Sequence, residues 1–407
     1  MWLIKMAWKS LWRNRSRTFI TTAAIFFAVI LSVMASSLKE GIFKNLVKNV
    51  VSFYTGYIQV HKKGYQDEQI LDNSFVADEK METKILSQSN ITNLTPRLES
   101  FALASSEDFT KGCMVVGIDP AKEDRITSLK NKLINGNYLQ KDDKAALLAQ
   151  GLAERLKLKV QDTIVLIGQG YHGSTAAGKY RVKGILRFGS PQLNDKMLFM
   201  SLPSAQEFFS AEGMLTSYVL SIKNETALSP TAEAIHSSAG KDYEVMTWGE
   251  LMPDIKQHIE TDSNNMKVVQ GILYLLICFG IFSTLLMMMV ERKFEMGMLV
   301  AIGMKKSKLG ILLIAESVIT VLTGCMAGII ASIPIVFYLN RNPIRIGGDT
   351  AKAYERFGFE AVFPTSMDAS NFIYQGIAVL IIGLVLSLYP LYKVARLNPV
   401  NAMKKLN

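Results

Sequence analysis

Four histidines, His61, His172, His236 and His258, are the side chains of this sequence best suited to acid–base or metal chemistry. They form no pattern for either. Zinc sites draw their ligands at short, recognisable spacings, and no two of these histidines have one. They read as ordinary surface or core histidines. No nucleophile elbow and no zincin helix occurs. Gly173-Ser174-Thr175-Ala176-Ala177-Gly178-Lys179-Tyr180 fits the phosphate-binding pattern G-x-x-x-x-G-K. Tyr180, however, stands where a Ser or Thr hydroxyl would hold magnesium, and no acidic partner motif is visible. The stretch reads as a flexible hairpin loop leading into a strand. An enzyme reading such as a hydrolase lacks any paired catalytic groups. The sequence therefore predicts no catalytic residue, no metal and no cofactor, and no ATP hydrolysis by this chain.

What the sequence has instead is apolar length. Mean hydropathy is +0.20 although a fifth of the residues are charged, and the apolar residues concentrate in four runs. A spanning helix needs about 20 such residues, since each adds about 1.5 Å across a hydrocarbon core about 30 Å thick. Phe19–Leu38, Val268–Val290, Gly310–Leu339 and Phe372–Tyr392 meet this requirement. The predicted spans are 19–40, 268–290, 310–339 and 371–392. The first run could pass for a signal peptide ending at Val33-Met34-Ala35, but it is full length, so it reads as a retained span.

Orientation follows from the basic flanks. Lys5, Lys9, Arg13, Arg15 and Arg17 precede the first span. Arg292, Lys293, Lys305, Lys306 and Lys308, with Glu291 and Glu295, lie between the second and third. Lys393, Arg396, Lys404 and Lys405 follow the fourth. These three segments sum to +12, while the whole chain is only +10. The basic balance is thus a topology signal and calls for no nucleic acid. It predicts both termini and the loop 291–309 on the cytoplasmic side of a plasma membrane. Residues 1–18 read as an interfacial helix in contact with membrane lipid. Ile4, Ala7, Trp8, Leu11 and Trp12 share one face, while Lys5, Lys9 and Arg13 form a stripe.

Within this frame a few residues stand out. Glu316 is the one ionisable group well inside a span, and a carboxylate there must be partnered or face water. Lying about two turns from the basic end, it is within reach of the interface or of a base such as Lys308, so a structural role is preferred to a place in a substrate path. Gly324 and Gly328 form G-x-x-x-G, which permits close helix contact within the subunit or across a dimer. In the loop 291–309, Phe294, Met298 and Ile302 recur at spacing four, flanked by Glu291, Arg292, Glu295 and Lys305. As a short helix this would offer an apolar ridge to a partner's groove, with charges fixing register. A helix lying on the lipid surface is the bland alternative.

Residues 41–267 form a large extracytoplasmic insertion. Ile42, Phe43, Leu46, Val47 and Val50 continue helical spacing, so the first span should extend as a stalk, and 252–267 should return as a second. Between them alternation predicts strands at 56–60, 113–118, 163–167 and 218–222, and helices at 147–158 and 204–210. The domain is expected to be α+β in two lobes, the second at 131–222. Cys113, Cys278 and Cys325 form no evident disulfide pair, so the domain must rely on its own core, which about 225 residues can supply. Residues 340–370 make a short extracytoplasmic loop and 393–407 a cytoplasmic tail.

One stretch carries a resemblance. Asn135-Gly136-Asn137-Tyr138-Leu139 opens it, Ala146-Leu147-Leu148-Ala149-Gln150-Gly151-Leu152-Ala153-Glu154-Arg155-Leu156 follows, then Gln161-Asp162-Thr163-Ile164-Val165-Leu166 and Tyr180-Arg181-Val182-Lys183-Gly184-Ile185. This order of strand, helix, turn, strand, strand resembles the outer domain of MacB/FtsX-type ABC permeases. Those usually carry Gly-Asp where this chain has Gln161-Asp162. Ala7-Trp8-Lys9-Ser10-Leu11-Trp12-Arg13-Asn14 resembles the family's N-terminal segment. Glu291-Arg292 through Glu295, Gly297, Ala301, Ile302 and Gly303 resemble its cytoplasmic loop, and Pro390, Ala395, Pro399 and Ala402 its C-terminal end. Thr55-Gly56-Tyr57-Ile58-Gln59-Val60-His61 and Gly64-Tyr65 look closest to the lipoprotein-releasing, Lol-type branch.

The resemblance implies a permease driven by a cytoplasmic ABC ATPase dimer and paired with a second permease subunit, in a homo- or heterodimer. The loop 291–309 would be the coupling helix, and the stalks would move the outer domains. The substrate of the favoured branch would be a lipoprotein extracted from the inner membrane, with Phe43 and Leu46 as candidates for its path. MacB-like efflux of a peptide or small molecule and FtsX-like regulation of a cell-wall hydrolase are the alternatives, and a lipoprotein substrate or a periplasmic protein is a further partner to consider.

Overall fold

The computed structural model describes residues 2–13, 15–349, 351 and 362–396. The family-like residues Pro399 and Ala402, and Lys404 and Lys405 of the tail, lie outside the described residues. The chain divides into two compact units, one built of Met1–Asn45, Ile259–Arg345 and Val362–Asn407, the other of Leu46–His258 and Ile346–Ala361.

The first unit is helical. Helix α1 (Trp2–Arg13) is followed by α2 (Arg15–Val50), α3 (Pro253–Glu291), α4 (Lys293–Ala301), α5 (Lys306–Arg341), α6 (Ala369–Leu386) and α7 (Leu388–Ala395). Four segments are long and apolar enough to cross a membrane: Thr18–Val50, Pro253–Glu291, Lys306–Arg341 and Ala369–Ala395. They contain the four predicted runs. The first and second continue without interruption into the predicted stalk segments. In α1 the amphipathic pattern resolves into two jobs. Ala7 and Leu11 are buried, and α1 packs on α5, while Trp8 and Trp12 are half exposed. The fourth span breaks at Ser387, and Pro390 sits in the first turn of α7, where its missing N–H and its ring cost little.

Spacing four dictates the packing of this unit. Ile25, Val29 and Val33 of α2 face Ile277, Ile281 and Leu285 of α3, with Val321 and Cys325 of α5 and Phe372 and Val379 of α6 completing the cluster. The G-x-x-x-G pair lies inside the subunit. A Cβ on Gly324 would come within 2.8 Å of Ile25 Cβ, and one on Gly328 within 2.7 Å of Val29 Cβ. Glycine at both positions lets α2 and α5 approach backbone to backbone.

The second unit is built on a ten-stranded mixed sheet. Its strands are β1 (Ile58–Lys62), β2 (Ile91–Ser105), β3 (Thr110–Ile118), β4 (Leu133–Gly136), β5 (Ala145–Ala149), β6 (Thr163–Gln169), β7 (Thr175–Leu186), β8 (Met197–Ser201), β9 (Ser217–Ile222) and β10 (Tyr243–Thr247). Their spatial order is β10-β1-β9-β2-β3-β8-β5-β7-β4, and β6 pairs with both β2 and β7. The three predicted strands near 113–118, 163–167 and 218–222 are all present, and the strand expected at 56–60 runs two residues later.

Three expectations change. The helix read over 147–158 begins as strand: Ala145–Ala149 pairs with β7 and β8, and the helix is only Gln150–Leu156. An all-apolar run buried on both faces gives no period by which to separate strand from helix. The phosphate-loop look-alike is mostly strand, since Gln169 to Val165 pair with Thr175 to Lys179 and the reversal occupies Gly170–Ser174. No helix follows it to receive a phosphate. Finally, Ser217–Ile222 closes the first lobe and not the second. Tyr218, Leu220 and Ile222 share a cluster with Ile58, Val60 and Ile235, apart from the cluster around Leu148, Leu152 and Leu166.

Gln161 occupies the turn before β6 with φ +83°. That left-handed conformation favours glycine and is strained for a residue with a Cβ. The turn is held by its neighbours: Gln161 N donates to Val182 O, and Asp162 Oδ2 accepts from Lys159 N at 2.7 Å. The Gly-Asp of the resembling family meets the same backbone demand without strain.

Candidate functional site

At the basic end of the helical unit, α3 stops at Glu291, and the chain turns through Arg292 into α4 and then into α5. Met296 of α4 packs with Met289, Leu309, Leu313 and Val394, which folds α4 back against α5 and α7. That fold-back buries Arg292 and presents its guanidinium to Glu316, to which it donates a hydrogen bond. Both side chains are almost fully enclosed, at 6% and 1% exposure. The sequence places Arg292 among the charges flanking the ridge and Glu316 within reach of the interface or of a base such as Lys308; in the structure the two pair with each other, and Lys308 is exposed. Burial of either charge alone would be costly, so the pair ties α4 to α5.

The ridge faces outward. Phe294, Met298 and Ile302 are 53%, 41% and 77% exposed and follow one another at helical spacing. Glu295 accepts a hydrogen bond from Arg13 Nη2 at 3.0 Å, bracing α4 against α1. This second pair is largely solvated and contributes at most about 1 kcal/mol. Glu291 is exposed at the end of α3. The arrangement is an apolar ridge on a short helix whose root is fixed by a buried ion pair. Among the described residues no cluster of three or more His, Cys, Asp or Glu side chains is placed to hold a metal.

At the opposite end of the same unit a polar seam joins the spans. Ser32 Oγ donates to Gln375 Oε1 at 2.6 Å, and Tyr274 donates to the same oxygen. Ser36 Oγ donates to Asn371 Oδ1 at 3.2 Å, and Asn371 donates to Glu40. Lys44 bridges Glu40 at 2.8 Å and Asp368 at 3.1 Å. Sequence reasoning missed this seam. The signal was available in Asn371 and Gln375, one turn apart at the head of an otherwise apolar run. Phe43 and Leu46, the substrate-path candidates, are half-buried on α2.

The second unit receives α2 through a single π-helical turn, Val51–Thr55. There the Tyr54 ring lies 4.6 Å from the guanidinium of Arg97, and Lys132 Nζ donates to Ser52 O at 3.0 Å. Arg97 is fully buried and grips Glu123 through two bonds, of 3.0 and 2.6 Å, and Glu99 through a third of 3.3 Å. Burial alone would lower the pKa of Arg97, but Glu123 and Glu99 outweigh it and hold the guanidinium charged. Burial also pushes the Lys132 ammonium down, to about 8. This network fixes the end of the stalk to β2 and to the short helix Pro120–Thr127. Glu99 is two residues away on the same strand, but Tyr54 and Glu123 lie in other elements, so the local sequence around Arg97 did not show the network.

His61 is buried, stacked on Tyr65, with Nδ1 3.0 Å from Thr216 O. His172, His236 and His258 are exposed at separate places in the chain.

Comparison with known proteins adds the family. Residues 18–238 match the MacB-like periplasmic core domain, and residues 268–399 match the FtsX-like permease C-terminal family. The chain is 20% identical over 330 residues to the lipoprotein-releasing system transmembrane protein LolC of Xylella fastidiosa (strain 9a5c), covering 78% of this chain and 79% of that protein. It is 22% identical over 340 residues to LolE of Haemophilus influenzae (strain ATCC 51907 / DSM 11121 / KW20 / Rd), covering 80% of each. Among solved structures, the periplasmic region of MacB from Actinobacillus actinomycetemcomitans aligns with 53% of this chain and 97% of its own, at 17% identity and a TM-score of 0.37. The first match alone spans more than half of the sequence, and the second covers the last three spans. The chain belongs to the ABC transporter permeases that join an FtsX-like membrane unit to a MacB-like periplasmic core domain.

Proposed function

We propose that this permease couples a separate cytoplasmic ATPase dimer to its outer domain, and that its cargo is a lipoprotein drawn from the inner membrane. The observation that carries the coupling is the exposed ridge Phe294, Met298 and Ile302 on a helix rooted by Arg292 and Glu316. An apolar ridge of this kind fits a groove on a partner and gains affinity by burial there. Movement of α4 is passed to α3, which runs unbroken from Pro253 to Glu291, and α2 ends at the Tyr54–Arg97 joint. The basic flanks support a topology with both termini and α4 in the cytoplasm. With four spans per chain, a second permease completes the transporter. The likeness to LolC and LolE supports the lipoprotein cargo.

The test has two arms. Met298→Glu in the reconstituted complex should abolish stimulation of the ATPase while the chain still inserts; full stimulation would refute the docking helix. A photoreactive residue at Phe43 or Leu46 should crosslink to lipoprotein in cells. Absence of that product, together with loss of drug tolerance and normal lipoprotein sorting on deletion, would favour efflux of a peptide or small molecule.

A further inference from the structure

Trp8 and Trp12 of α1, Arg15, Thr18 and Thr22 of α2, and Thr320 and Thr323 of α5 line an open-sided cavity of about 670 Å³. That volume falls within the about 300–1,000 Å³ of small-molecule sites. Three of its wall hydroxyls are bonded to backbone carbonyls and so are withdrawn from the space. Thr18 Oγ1 donates to Leu11 O at 3.0 Å, Thr320 Oγ1 to Glu316 O at 2.9 Å and Thr323 Oγ1 to Ile319 O at 2.9 Å. Each threonine thereby satisfies its polar group within the protein. Just beyond the cavity the walls close, where Gly324 brings α5 against Thr22 and Ile25.

Among the described lining residues Arg15 carries the one formal charge, and none is acidic. Arg15 is exposed, with its guanidinium 5.2 Å from the Trp12 ring and Nε 3.4 Å from Trp12 O. From Arg15 to Thr22 helix α2 rises about 10 Å, so the cavity leads from a cation at the basic end of the first span into apolar depth. The two tryptophans at its rim meet edge to face, 6.1 Å apart between ring centroids. Amphipathic indoles, one guanidinium and an apolar chamber match an amphiphile with an anionic head and a hydrocarbon tail.

We propose that this cavity holds one anionic phospholipid of the leaflet on the basic side, its phosphate on Arg15 and an acyl chain between α2 and α5. The lipid would then be a structural part of the wedge between α1, α2 and α5.

Native mass spectrometry of the full-length chain, extracted into detergent and supplied with equal phosphatidylglycerol and phosphatidylcholine, tests this. One phosphatidylglycerol should remain per chain, in preference to phosphatidylcholine. Arg15→Gln should lower its retention roughly tenfold, the worth of a charge-assisted hydrogen bond. Thr323→Phe, which fills the chamber without altering charge, should reduce retention of both lipids. Unchanged phosphatidylglycerol retention in both variants, equal retention of the two lipids by the wild type, or a lipid-free dimer would overturn the proposal.

Discussion

The guanidinium of Arg292 is bonded to the carboxylate of Glu316, twenty-four residues on, with both side chains shut away from solvent. This pair joins the turn after α3 to the third span, and with the Met296 packing and the Arg13–Glu295 bond it holds α4 to the helices around it.

Removing either partner leaves the other charge buried alone. Arg292→Met or Glu316→Leu should each destabilise the chain by about 3–5 kcal/mol, and the double variant Arg292→Met, Glu316→Leu should recover much of that loss. Thermal unfolding of the four proteins in detergent gives the coupling. Additive losses, with the double variant worst, would show that the two side chains act independently.

The contrast between this pair and the spans shows what the sequence could carry. Four spans were legible because hydrophobic thickness is a one-dimensional property, read directly from run length. So was the exposed ridge, because Phe294, Met298 and Ile302 repeat at the helical period. The partner of Glu316 was not legible. Lys308 is nearer in sequence, but the fold-back of α4 on Met296, Leu309 and Leu313 brings Arg292 to it, and only tertiary packing decides that. The same holds for Arg97, whose partners Tyr54 and Glu123 come from a turn and a helix remote from its own strand. Residues 147–149 read as helix in the sequence because a strand buried on both faces has no alternation to display.

Gln161 offers a gain of stability. At φ +83° a side chain is held against its preference, and glycine is not. Gln161→Gly should stabilise the outer domain by about 0.5–1 kcal/mol. Denaturant unfolding of the full chain, followed through a probe in that domain, measures it. A loss of stability would mean that the Gln161 side chain makes contacts worth more than the strain.

Lys132 predicts a pH dependence. Its pKa falls from the ordinary lysine value to about 8 in the folded protein, mainly through burial. Between about 8 and the unfolded value the unfolded chain binds more protons, so stability from this group rises with pH across that window. Relative to Lys132→Met, the wild type should gain thermal stability as pH is raised from 7.5 toward 10. A constant difference across that range would contradict the assignment.

The most direct test concerns the side on which the ridge of α4 lies. With Cys113, Cys278 and Cys325 replaced, Ile302→Cys is exposed to a membrane-impermeant maleimide in intact and in opened spheroplasts. The account predicts labelling only after the membrane is opened, because the ridge faces the compartment that holds ATP. Equal labelling from outside in intact spheroplasts would contradict it and remove the proposed route from ATPase to outer domain.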